Sequence, residues 1–192
     1  MGAEGVVVLR PEFIARLYLD SVQTKIMKKL VEVIERVSLW SGKASSWLTL
    51  PVIFVVAYEI IARYVFHRPT IWAVETMIYG CAIIYVMAAA WALLDGRHVK
   101  IDMVYEKFSP RRRALLDSIT FVFFALYIGM MLWATSKYAW RSVAILETSD
   151  SPWRPPLWPM KVFLALGVLL ILLQGIAKFI RDLHFALTGK EL

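Results

Sequence analysis

The sequence predicts an all-α integral membrane protein: four transmembrane helices preceded by a basic amphipathic interfacial helix, with both termini cytoplasmic. Two observations give the membrane class and a third gives the orientation. Hydrophobic residues make up 59% of the 192 residues and charged ones 19%, against roughly 45–50% and 25% in soluble domains. The apolar excess gathers into four runs, 47–66, 71–94, 114–140 and 159–180. Each is near or above the ~20 residues that cross ~30 Å of hydrocarbon at ~1.5 Å per residue. None alternates every second residue as barrel strands do, and in lipid only a helix or a closed barrel satisfies every backbone group.

Orientation follows from lysine and arginine. Seven precede Trp47, six lie between the second and third runs, and Lys178, Arg181 and Lys190 follow at the end, sixteen on one side in all. The other side has six: Arg63, Arg68, Lys137, Arg141, Arg154 and Lys161. The positive-inside rule therefore places both termini in the cytoplasm. The net charge of +7 then reflects topology and contact with anionic phospholipids, not nucleic acid. A single cysteine, Cys81, allows no intramolecular disulfide and no cysteine metal cluster.

In chain order, residues 1–22 form an N-terminal extension that mixes Val6, Val7 and Val8 with Pro11, Glu12 and Asp20. We read no signal peptide there and expect partial disorder. Residues 23–43 read as the amphipathic helix. Ile26, Leu30, Val33, Val37 and Trp40 recur at three- and four-residue intervals, with Lys25, Lys28, Lys29, Glu32, Glu35 and Arg36 around the rest of the circumference. Such a helix rests in the interface, with Lys25, Lys28 and Lys29 on lipid head groups, or packs on a partner.

The membrane domain, 47–182, opens at Trp47, an interfacial anchor, and tolerates Pro51 in the first helical turns. Glu59 and Arg63, four apart, share a helix face and can pair, which offsets a cost of roughly 2.5–3.5 kcal/mol per central charge. Glu75 lies at a similar depth, so Glu59, Arg63 and Glu75 are expected to form one ionic cluster near the periplasmic side. It is either a fastener between helices or to a partner subunit or, with Glu59 as relay, part of a proton or sodium path. The second run stops at Asp95-Gly96, where Gly96 can take the left-handed conformation that closes a helix. Ser109 and Pro110 start the third helix as cap and first helical residue, and Arg111, Arg112 and Arg113 reach the lipid head groups. Between the third and fourth runs, Pro152, Trp153, Pro155, Pro156 and Trp158 predict a stiff, extended loop. It offers a periplasmic partner a preformed surface, or plugs the bundle at the interface. Residues 183–192 are a tail. His67, His98 and His184 all lie outside the spans, which argues against an inter-helix haem.

Several of these residues also carry a resemblance. Arg63-Tyr64-Val65-Phe66, Pro69, Trp72 and Glu75, followed by Asp95-Gly96-Arg97-His98-Val99-Lys100-Ile101-Asp102, resemble the small membrane (Q, or DctQ-type) subunit of tripartite ATP-independent periplasmic (TRAP) transporters. Ser151-Pro152-Trp153 and Trp158-Pro159 look like that family's later periplasmic loop and last helix start. The resemblance covers about residues 25–182 and makes Gly96, Arg97, His98 and Asp102 a family-motif loop. One departure is visible: many members carry two successive acids after the tryptophan, and here Val74 stands in place of the first. An acidic pair therefore has no essential chemical role in this chain.

The resemblance implies a non-enzymatic subunit without cofactor. It would brace the scaffold of a large multispanning elevator-type subunit in a sodium-coupled importer of organic acids. Sodium binding is expected in that large subunit, and a periplasmic substrate-binding protein docks transiently. Two rival classes are an autonomous four-helix proton-coupled transporter, which would leave its acid unpaired, and a redox-complex anchor, which would carry helix-borne histidines.

Overall fold

The computed structural model describes the backbone over residues 11–96 and 108–189, and the side chains there except those of 11–24, 110, 111 and 114. Four helices result: α1 (Pro11–Tyr64), α2 (Ile71–Leu94), α3 (Pro110–Ala144) and α4 (Trp158–Thr188). All four are long and apolar enough to cross a membrane. The α1–α2 turn and the α3–α4 loop share one end of the bundle, here the turn end. The opposite end is the termini end.

The expected second span coincides with α2, and the third and fourth lengthen at both ends. The first differs in kind. No break separates residues 23–43 from the span, because residues 44–46 are helical and α1 runs through all 54 residues, about 81 Å at 1.5 Å per residue. Pro51 sits inside it. The expected interfacial helix is thus continuous with the first helix able to cross the membrane.

The helices form a row in the order α1, α2, α4, α3, with α1 also reaching α4. Burial singles out α4: 28% of its most apolar stretch is covered, against 6% in α1 and α2. Glycines set the crossings, since helices in lipid associate through close backbone approach more than through hydrophobic exclusion. A Cβ on Gly42 would strike Trp91, one on Gly80 would strike Val52, one on Gly167 would strike Val86, and one on Gly175 would strike Phe124. Each neighbouring pair in the row therefore has a glycine at its contact. Phe121 stacks on Phe179 at 4.4 Å between centroids, adding to the α3–α4 seam.

The face that α1 turns inward is not the apolar stripe read from the sequence. Val31, Ser38, Ser45 and Glu59 are buried, and Val52 between them is half-buried. The five are spaced seven apart, the period of helices that supercoil around a neighbour. Ile26, Leu30, Val33, Val37 and Trp40 face outward and are exposed. Small and polar side chains allow α1 to approach α2 and α4, whereas the bulky ones could not.

Candidate functional site

At the turn end, α1 closes at Tyr64 and the chain reverses through His67, whose φ of 54° is left-handed. The Arg68 N–H donates to the Ala62 carbonyl at 2.9 Å. Glu59, one turn inside α1, holds this reversal. Its Oε1 accepts from Arg63 Nη2 at 2.6 Å and Nε at 3.1 Å. Its Oε2 accepts from Thr70 Oγ1 at 2.6 Å and from the Thr70 N–H at 3.1 Å. Thr70 is the residue that caps α2, so one carboxylate binds the end of α1 to the start of α2 and meets the positive end of the α2 dipole.

Glu75 does not join this pair. Its Oε1 accepts from Ser149 Oγ at 3.4 Å, while Oε2 is buried without a hydrogen-bond partner. The sequence grouped three residues by depth. The structure pairs Glu59 with Arg63 and turns Glu75 toward the α3–α4 loop, because helix phase as well as depth decides which side chains meet.

That loop folds back instead of extending. Ser149 N–H donates to the Pro155 carbonyl at 2.9 Å and Leu157 N–H to the Glu147 carbonyl at 2.8 Å, bracketing an antiparallel bridge between Thr148 and Pro156. Left-handed Leu146 and Arg154 make the bends. Pro155 is buried, and Pro152, Trp153, Pro156 and Trp158 remain exposed. Glu147 pairs with Lys161 at 2.5 Å. The hydrogen bond from Lys161 holds the Glu147 carboxyl below its ordinary value of 4.5.

At the termini end, Arg97, His98 and Asp102 lie outside the described residues. Gly96 takes a φ of 67° and closes α2, as its position predicts. Ser109 and Pro110 occupy the cap and first turn of α3, with no hydrogen bond from the serine side chain to a helix N–H. Arg112 is exposed, and Arg113 donates through Nε to the Phe108 carbonyl at 2.9 Å. Lys25, Lys28 and Lys29 are exposed on α1.

Sequence reasoning missed a second ionic cluster here. Lys178 reaches Asp117 at 2.5 Å and Asp182 at 2.6 Å, and Arg181 reaches Glu35 at 2.6 Å. These pairs tie α4 to α3 and to α1. Just inside them, Ser38 donates to Gln174 Oε1 at 2.8 Å, both side chains being fully buried. The readable signal was Gln174, Lys178 and Asp182 at four-residue spacing on one face of the last helix.

An open groove of about 780 Å³ beside Glu59 is lined by Tyr58, Ile61, Ala62, Phe66, Arg68 and Thr70. Among the described residues no three His, Cys, Asp or Glu side chains are placed to hold a metal ion. The ionic groups of both ends thus act between helices of this chain. No curated protein matches the sequence. The family model described as tripartite ATP-independent periplasmic transporters, DctQ component, matches residues 52–185, which take in the Glu59 anchor, the α3–α4 loop and the Lys178 cluster. The chain belongs to that family, and is a small membrane component of a TRAP transporter.

Proposed function

We propose that this chain is the static brace of a sodium-coupled TRAP importer of organic acids. It is a multi-pass protein of the bacterial inner membrane with cytoplasmic termini, held stably against the large elevator-type subunit and met transiently by the substrate-binding protein at the turn end. The observation that carries the proposal is the use made of Glu59. A proton or sodium relay needs a carboxylate with a vacant coordination position. Both oxygens of Glu59 are instead committed to Arg63 and to the cap of α2, the geometry of a fastener. Lys178 and Arg181 fasten three helices at the other end in the same way. The brace reading assigns substrate and sodium sites to the large subunit and leaves anionic lipid to the exposed Lys25 and Lys28.

The test is reconstitution of the complex with Glu59→Gln in proteoliposomes. Transport is expected to keep its dependence on the sodium gradient, with any loss traceable to less assembled complex. A changed sodium or proton stoichiometry in fully assembled complex refutes the brace and revives the relay. Transport by this chain alone would favour the autonomous transporter.

A further inference from the structure

We propose that the outward face of α1 is a docking seam for one long helix of a partner polypeptide, apolar along its contact stripe and acidic along one flank. On the reading above, on which this proposal rests, that helix belongs to the large membrane subunit. Ile26, Val33, Trp40, Trp47, Phe54 and Ile61 recur every seventh residue and are all between 51% and 74% exposed. A second row, four residues on, runs Leu30, Val37, Ala44, Pro51 and Tyr58 and is exposed as well. Alternating steps of four and three without a polar interruption make a knobs-into-holes surface.

Lipid does not suffice to cover it. From Ile26 to Ile61 the seam is about 53 Å long, against ~30 Å of hydrocarbon and ~40–45 Å of whole bilayer. Nor is α1 from Glu35 onward free to lie along the membrane surface. Glu35 on Arg181, Ser38 on Gln174 and Gly42 beside Trp91 hold it to α4 and α2, in line with Val52 beside Gly80 and Glu59 on Thr70. Its apolar side chains beyond the hydrocarbon face water unless protein covers them, which is unfavourable in proportion to the area left wet. On α3, Ile119, Leu126, Trp133 and Trp140 are equally exposed but extend only about 32 Å, a length that lipid covers unaided.

Charge identifies the flank. Lys29, Arg36 and Lys43 stand beside the seam, again seven apart and exposed, and no carboxylate of the described residues pairs with them. This is the position whose charge selects a partner helix. At the turn end the seam runs into the groove lined by Tyr58, Ile61 and Phe66, room for a bulky side chain of the incoming helix.

The experiment places a photo-crosslinking amino acid at Val33, Val37 or Phe54 in the assembled transporter in native membranes. Glu32, Ser46 and Ile60, exposed on another face of α1, serve as controls. Adducts with the large subunit are expected from the first three positions and not from the controls. Adducts from Val33 and Val37 that contain only lipid, or that join two copies of this chain, overturn the proposal, as do controls that crosslink equally well. Recovery of the large subunit in the same sample separates the two levels: if it is present while the seam fails, the docking face is wrong. If it is absent, the brace reading fails and takes the seam with it. Combined Lys29→Glu, Arg36→Glu and Lys43→Glu is expected to lower the large subunit recovered in neutral detergent about tenfold; unchanged recovery overturns the acidic flank.

Discussion

Gly167→Ala and Gly129→Ala make the same chemical change on adjacent helices and are expected to act with opposite sign. At Gly167, on buried α4, a new methyl meets Val86 of α2, including its carbonyl oxygen at 2.9 Å and carbonyl carbon at 3.0 Å. Backbone cannot rotate away as a side chain can, so the two helices must separate. Overpacking of this kind costs about 1–3 kcal/mol. The gain in helix propensity from glycine to alanine returns about 1 kcal/mol, so a clash with backbone, in the upper half of that range, leaves a net loss of about 1–2 kcal/mol. At Gly129 nothing lies within 4 Å of the added carbon, and only the propensity gain remains. For chains of 150–250 residues each kcal/mol moves the midpoint by about 2–4 °C, so Gly167→Ala should melt about 2–8 °C lower. Gly129→Ala should melt at or slightly above the unaltered protein. Thermal unfolding in a single mild detergent, followed by tryptophan fluorescence, measures both. A Gly167→Ala protein as stable as Gly129→Ala would show that α2 and α4 do not touch at this crossing, and the row order would have to be abandoned.

Two further outcomes follow from the buried polar contacts. Ser38→Ala leaves the Gln174 amide oxygen unpaired in a fully buried place and should destabilise by about 1–3 kcal/mol. Adding Gln174→Leu should recover part of that loss, a non-additivity that a double-mutant cycle in detergent reads directly. For the α3–α4 loop, the lowered Glu147 carboxyl sets the sign of a pH effect. A group more acidic when folded than unfolded stabilises fully above its unfolded value and loses that contribution as pH falls through the folded one. Shielding of Trp153 from an aqueous quencher should therefore be constant above about pH 4.5 and fall below it. In Glu147→Gln it should be reduced and flat throughout.

Much of this architecture is legible in the sequence because lipid simplifies the problem. Span length and the ban on unpaired backbone gave four helices, with α2 matching its predicted limits. Gly96 closed its helix because only local backbone geometry was at stake. Where sequence and structure part, the causes differ, and the first is that apolarity does not say what an apolar face touches. Ile26 to Trp40 were correctly seen as one face, yet inside this chain α1 packs through Val31, Ser38 and Ser45. In a membrane protein the large apolar residues are as much at home outside as inside. Depth alone groups Glu75 with Glu59, whereas its side chain meets Ser149 of the α3–α4 loop. The α3–α4 loop was read from its prolines, whereas a pair of backbone hydrogen bonds, Ser149 to Pro155 and Leu157 to Glu147, folds it back. The pairs that join helices escape sequence reasoning because Asp117 lies 61 residues from Lys178 and Glu35 lies 146 from Arg181.

On the proposed brace function, the two faces of α1 bear on how this subunit would resist the motion of a larger one. A bundle held by hydrophobic exclusion alone would slide in lipid, because no water is released when apolar helices exchange neighbours there. This chain removes that freedom with features that tolerate only one register. Glycines at the crossings admit one facing side chain, Glu59 fixes the turn end, and Gln174, Lys178 and Arg181 fix the termini end. Between these two sets of contacts, α1 keeps a single rotational setting over the 25 residues from Glu35 to Glu59. The opposite face is then presented at constant angle along its length. The partner helix proposed for that face would meet a surface that can neither roll nor slip without breaking charged pairs, each of which would leave a poorly solvated ion behind. Stiffness of this kind needs no catalytic group, and it accounts for the ionic residues in a membrane protein that would otherwise do better without them.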